Sequence, residues 1–118
     1  MEEIDENKLI DAWLTYQRNW WASEALNRLI EDQPKKAWEV LKVLIGKADT
    51  DALLEHIGSG PLEDFINFHG AEFIEQIEDH AKKDPKFSQA LAAVWIEDNR
   101  DVLSQRLIAL GCLYISRK

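Results

Sequence analysis

Three histidines, one cysteine and a glycine-rich step into two acids are the residues of this 118-residue chain with the most obvious chemical potential. The step is Gly58-Ser59-Gly60-Pro61-Leu62-Glu63-Asp64. A glycine-rich entry to a helix can cradle a phosphate, because backbone N–H groups and the helix dipole both favour an anion there. Here the lysine and the hydroxyl of a phosphate-binding loop are missing, and the carboxylates of Glu63 and Asp64 would meet the anion first. The same residues suit a corner better. Gly58 stops one helix, Gly60 takes a positive φ or an N-cap, Pro61 presets the first turn of the next, and the two acids complement its positive end. Either Glu63 or Asp64 then remains available to a basic partner.

His69 lies one helical turn from Phe65 and close to Leu62, where Gly70 redirects the chain. It is expected to pack its ring while satisfying a carbonyl at a helix C-terminus. Acid–base work with Glu63 is disfavoured, because the two are six residues apart on a short helix and point to different sides. His80 follows Ile77 and His56 flanks Leu53 and Ile57, which suits packing for both. Neither H-E-x-x-H nor paired Glu-x-x-His elements occur, so no metal or cofactor is expected. Cys112 has no flanking histidine or base and reads as a buried, inert thiol.

The elements that position these residues all read as helices. Apolar residues recur at helical spacing almost everywhere, and no strand pattern is convincing. A first helix covers about residues 4–18 with Leu9, Ile10, Trp13, Leu14 and Tyr16 on one stripe; a second carries Ala22, Ala25, Leu26, Leu29 and Ile30. Pro34 opens a third through Trp38, Leu41, Leu44 and Ile45, with Gly46 as its left-handed cap. Asp49 or Thr50 caps a short helix ended by Gly58, and Pro61 starts another ended by Gly70. A further helix carries Phe73, Ile74, Ile77 and Ala81, with Glu78–Lys82 and Asp79–Lys83 as i, i+4 pairs. Asp84-Pro85 begins one lined by Phe87, Ala90, Leu91, Val94 and Trp95, and a last helix carries Val102, Leu103, Leu107, Leu110 and Tyr114. The expectation is an all-α fold of seven or eight short helices stacked as antiparallel hairpins, with a helical-repeat-like array as the variant suggested by Pro34-Lys35 and Pro85-Lys86.

Hydrophobic residues at 46% and charged residues at 31% fit one folded domain over residues 1–118. A lone cysteine, an acidic start and the lack of any apolar run near the ~20 residues of a membrane span point to the cytoplasm. The net charge is −8, and residues 49–84, with ten acids against two bases, account for all of it. Such a surface disfavours direct nucleic-acid binding and attracts a basic protein. Trp20 and Trp21 add an aromatic candidate, since neighbours about 100° apart on a helix cannot both face inward. Trp13, Trp38 and Trp95 fall on apolar stripes and are expected in the core.

Pro34, Ala37-Trp38, Gly60-Pro61-Leu62-Glu63-Asp64, His69-Gly70, Asp84-Pro85 and Trp95 carry a resemblance. From about residue 12 to residue 96 the chain resembles a bacterial family catalogued only as a domain of unknown function. The resemblance implies a small helical domain of bacterial or phage origin and brings no reaction or catalytic residue with it.

Two functions follow as expectations. The first is a non-enzymatic protein-binding domain acting through Glu63, Asp64, Glu72, Glu75, Asp79, Trp20 and Trp21, an inhibitor in bacterial or phage conflict such as a toxin-immunity or anti-defence factor. Its acidic surface could mimic a nucleic acid in a basic protein groove. The second is a small helical enzyme using His69 or His80 with carboxylates of neighbouring helices.

Overall fold

The computed structural model describes residues 5–15, 20–96 and 101–114, and at Trp20 the backbone alone. Side-chain caps set most helix starts. The Asp5 carboxylate accepts from the N–H groups of Asn7 (3.0 Å) and Lys8 (3.2 Å) ahead of α1 (Glu6–Thr15). After α2 (Trp20–Asp32), Pro34 occupies the first position of α3 (Pro34–Lys47), where its missing N–H leaves no bond unmade. Thr50 caps α4 (Asp51–Ile57) by accepting from Leu53 N at 3.1 Å. Asp84 caps α6 (Pro85–Leu91) and Asp101 caps α7 (Val102–Ala109), accepting from Lys86 N at 3.0 Å and Ser104 N at 2.7 Å.

The centre of the chain makes the expected corner, but with helical backbone throughout. Between α4 and α5 (Glu63–Lys83) lies a π-helical turn, Gly58–Leu62, and the backbone stays helical through it, with φ −63° at Gly58 and −66° at Leu62. Gly58 caps α4, and the π turn that carries Gly60-Pro61 leads into α5. The helical run is unbroken, so the described residues hold six helical rods rather than seven or eight, but the run bends sharply at this turn. Ser88 Oγ donates to Ala81 O (2.8 Å) and the adjacent Gln89 to Asp51 Oδ1 (2.7 Å), whereas a straight helix would hold Ala81 and Asp51 about 45 Å apart. Pro61 is the physical reason for the π turn. Inside a helix its ring presses on the carbonyl four residues back and its N–H is missing, and one extra residue in the turn relieves both. Gly46 and Gly70 are likewise helical and end nothing, and among the described residues only Gly111 has a positive φ (109°). Rods this unequal do not make a repeat.

Helix propensity also overran at the C-terminal end. α6 stops at Leu91, and Trp95–Ile96 (β1) pairs in parallel with Leu113–Tyr114 (β2), anchored by Leu113 N donating to Val94 O at 2.7 Å. Trp95 and Tyr114, read as helical, are in these two-residue strands. β-branched and aromatic Val94-Trp95-Ile96 suits extended backbone once the helix is capped.

The core centres on Trp38 of α3, which is 5% exposed. Its ring stacks on Phe65 (5.8 Å between centroids) and meets Phe87 edge-on (5.5 Å) and Phe73 at 6.1 Å, so one side chain ties α3 to α5 and α6. Leu9, Leu26, Leu41, Ile57, Leu62 and Ile77 are sealed around it. The Cα radius of gyration is 13.9 Å, close to the ~13.5 Å expected of a folded chain of this length. Among the described residues no helix is long and apolar enough to cross a membrane.

Candidate functional site

Most motif residues turn out to hold helix ends and elements together. The Glu63 carboxylate accepts the backbone N–H of Trp95 at 2.8 Å, anchoring β1 to the start of α5. His69 lies within α5 and does not terminate it. Its Nε2–H donates to Ile30 O at 2.5 Å, satisfying one of the carbonyls left open at the end of α2. The expected bond to a helix-end carbonyl is thus present, on a different helix. Lys86 does the same for α3, donating to Gly46 O (3.0 Å) and Ala48 O (2.8 Å). A methyl at Gly70 would meet Ile66 at 3.4 Å and Leu103 at 3.8 Å, ordinary contact distances, so the packing of α7 on α5 does not require this glycine.

Of the imidazole–carboxylate pairs weighed as an alternative, His80 with Asp84 comes to ion-pair distance without a hydrogen bond. His80 Nε2 is 3.5 Å from Asp84 Oδ2, beyond hydrogen-bond geometry, with its ring edge-on to Phe87 at 4.8 Å. A juxtaposition that sequence spacing did not reveal lies across the π turn, where His56 and Asp64 both line a cleft of about 190 Å³ and His56 lies 5.1 Å from the Trp13 ring. That volume is below the ~300 Å³ at which ligand pockets usually begin. Partial burial raises the Asp64 carboxyl above the usual aspartate value. Among the described residues no three His, Cys, Asp or Glu side chains gather as a metal site. Cys112 is buried, and burial pushes its thiol up to about 12, so almost no thiolate forms near neutrality. Iodoacetamide at pH 8 is expected to leave the native protein unmodified and to alkylate it once in denaturant, with mass spectrometry as readout; rapid native labelling would contradict the burial.

The solvent side of α5 is where the predicted acids gather. Asp64, Glu72, Glu75 and Asp79 are exposed on it. Their spacing of eight, three and four residues puts them in one row. The gap after Asp64 is filled by Phe68, four residues from Asp64 and from Glu72, and Phe68 is 62% exposed. Phe68 escaped the sequence reading, although it stands out of phase with the buried stripe of Phe65, Ile66, Phe73 and Ile74. Glu63 is absent from this row, being half-buried against Trp95. Trp21 is 45% exposed, as one of the tryptophan pair had to be, while the Trp20 side chain falls outside the described residues. Trp38 is in the core and Trp13 half-buried, but Trp95 is 45% exposed.

The row is most strongly negative at its N-terminal half. Asp79 pairs with Lys83 at 2.8 Å, as its i, i+4 spacing predicts. Glu78, expected to pair with Lys82, instead takes a two-point bond from Arg106 of α7, Nε to Oε2 at 2.9 Å and Nη2 to Oε1 at 2.5 Å. The hydrogen bond from Arg106 lowers the Glu78 carboxyl, and that from Lys83 lowers Asp79. A carboxyl lowered on folding contributes stability above its unfolded value, lost as pH falls through the folded value. Acidification below the ordinary carboxylate range, about pH 4.5, should therefore loosen α7 from α5, and Arg106→Gln should shrink the drop in Tm between pH 7 and pH 3. Equal drops in the two proteins would show that this pair carries no acid sensitivity.

No curated protein and no solved structure matches the chain. A family-level match covers residues 12–111, a span that holds the π turn, the clamps of Glu63, His69 and Lys86, and the α5 row, and it extends past the residues that carried the resemblance. On that match, the chain belongs to the family of unknown function DUF6869.

Proposed function

We propose that this chain is a non-enzymatic protein-binding domain that seats a basic partner on the outer side of α5. The observation supporting this most is Phe68, an exposed aromatic with the carboxylates of Asp64 and Glu72 one turn to either side. A large apolar side chain in an acidic rim has the make-up of an interface anchor: the ring supplies contact area and the charges steer and orient. The partner this face fits is a protein with an apolar pocket inside a basic groove, of the kind that otherwise holds nucleic acid. Occupying such a groove blocks it, and we assign the domain an inhibitor's role in bacterial or phage conflict, as a toxin-immunity or anti-defence factor. An enzyme built on His69 has less in its favour, since the ring N–H is already engaged by Ile30 O.

The test is capture from extracts of the native host at low and at moderate salt, comparing wild type with Phe68→Ser/Glu72→Lys/Glu75→Lys after circular dichroism has shown equal helicity. Wild type should retain one discrete basic protein, less of it as salt rises, and the variant should retain it at least about tenfold less. Undiminished capture by the variant would remove the reading.

A further inference from the structure

We infer that the groove between the π turn and β1 is a recognition site for an arginine side chain of a partner protein. The groove has a volume of about 390 Å³; its apolar lining is Trp95, Leu113, Ala92 and Ala93, and its polar lining Glu55, Ser59 and Gln89. Trp95 and Leu113 are 45% and 40% exposed, a large open apolar surface for two adjacent, hydrogen-bonded strands.

Donor accounting on the polar lining selects the ligand. The Ser59 hydroxyl donates to Glu55 O at 2.9 Å, so its proton is committed and its lone pairs remain. Gln89 donates one Nε2–H to Asp51 Oδ1 at 2.7 Å, and because a carboxylate only accepts, this fixes the amide's orientation and leaves its oxygen as an acceptor beside the second N–H. The Glu55 carboxylate accepts only. Among the described residues no Lys, Arg or His lines the groove. The polar lining thus offers mainly acceptors, together with negative charge, in the same groove as an indole.

A guanidinium answers each feature: it is flat and stacks on an indole face, it is permanently charged, and it presents several N–H groups in a rigid fork to acceptors. The backbone that carries the indole is also held in advance, since Glu63 accepts the Trp95 main-chain N–H and Leu113 N donates to Val94 O. A preformed platform spares part of the ordering cost of binding. This inference stands on the groove and does not require the α5 row.

The experiment is an NMR titration of the full chain with N-acetyl-arginine amide, with the citrulline and lysine analogues as controls. Saturable shifts are expected at the Trp95 indole N–H, the Gln89 side-chain amide and Leu113, with affinity in the millimolar range suited to one side chain. Citrulline, isosteric and neutral, should leave them unmoved, and lysine should act several-fold more weakly. Glu55→Gln, at an exposed position, should weaken arginine binding about tenfold, and the Phe68→Ser/Glu72→Lys/Glu75→Lys variant should bind it as wild type does, which separates this site from the α5 face. No shift at Trp95, an equal response to citrulline, or an equal response to lysine would overturn the assignment.

Discussion

Gly58→Ala is expected to destabilise the fold by at least about 3 kcal/mol, while Gly60→Ala, two residues along the same turn, stays within about 1 kcal/mol of wild type. A Cβ at Gly58 would sit 2.1 Å from Ala90 O and 2.9 Å from Ala93 Cβ. The nearer atom is backbone, at the end of α6, so no rotamer change relieves the clash and the π turn must separate from α6. A Cβ at Gly60 meets nothing within 4 Å, and Gly60 has no positive φ to strain. Urea unfolding of the two variants tests the difference, and for a domain of this size the Gly58 variant should melt ~10 °C or more below wild type. Equal stabilities would mean that the π turn does not press on α6.

Trp38→Ala should cost about 4 kcal/mol. The indole is where Phe65, Phe73 and Phe87 meet, with the Lys42 ammonium 5.3 Å from its centroid on the outer side. Removing it leaves a cavity walled by three rings on two helices, and such rigid walls collapse poorly. Against a total stability of ~5–15 kcal/mol this is a large fraction, so the variant should show a sharply lowered urea midpoint or lose cooperative unfolding altogether. Trp38→Phe, which keeps a ring, should retain a cooperative transition. A Trp38→Ala protein as stable as wild type would move the centre of the core elsewhere.

What could be read from the residues divides by range. Helical periodicity identified the stripes of α2, α3 and α5, and Thr50, Asp84 and Pro34 marked helix starts correctly because a cap or first-turn proline acts within three residues of itself. Glycine misled. Gly46 and Gly70 look like helix stops in one dimension, yet the helix runs through both, and Gly58, at the end of α4, also admits the close approach of Ala90, 32 positions later. The same distance hid the site. Nothing near His69 in sequence says that its partner is Ile30 O, nothing near Glu63 that it holds Trp95 N, and the groove beside β1 draws Glu55, Gln89 and Leu113 from three separate elements. Phe68 was legible in principle, as an aromatic out of register with its helix's buried stripe.

These long-range clamps account for most of the chemically suggestive motif and leave the outer side of α5 as an acidic and aromatic surface whose composition is not explained by holding the fold together. The most direct test is photocrosslinking in native-host cells with benzoylphenylalanine placed singly at Phe68, Glu72 or Glu75, and at Lys35 or Glu39 on the exposed side of α3 as controls. The account predicts one discrete crosslinked protein from the three α5 positions and none from α3. Crosslinks from α3 to that same protein while α5 stays silent, or silence at all three α5 positions, would contradict it.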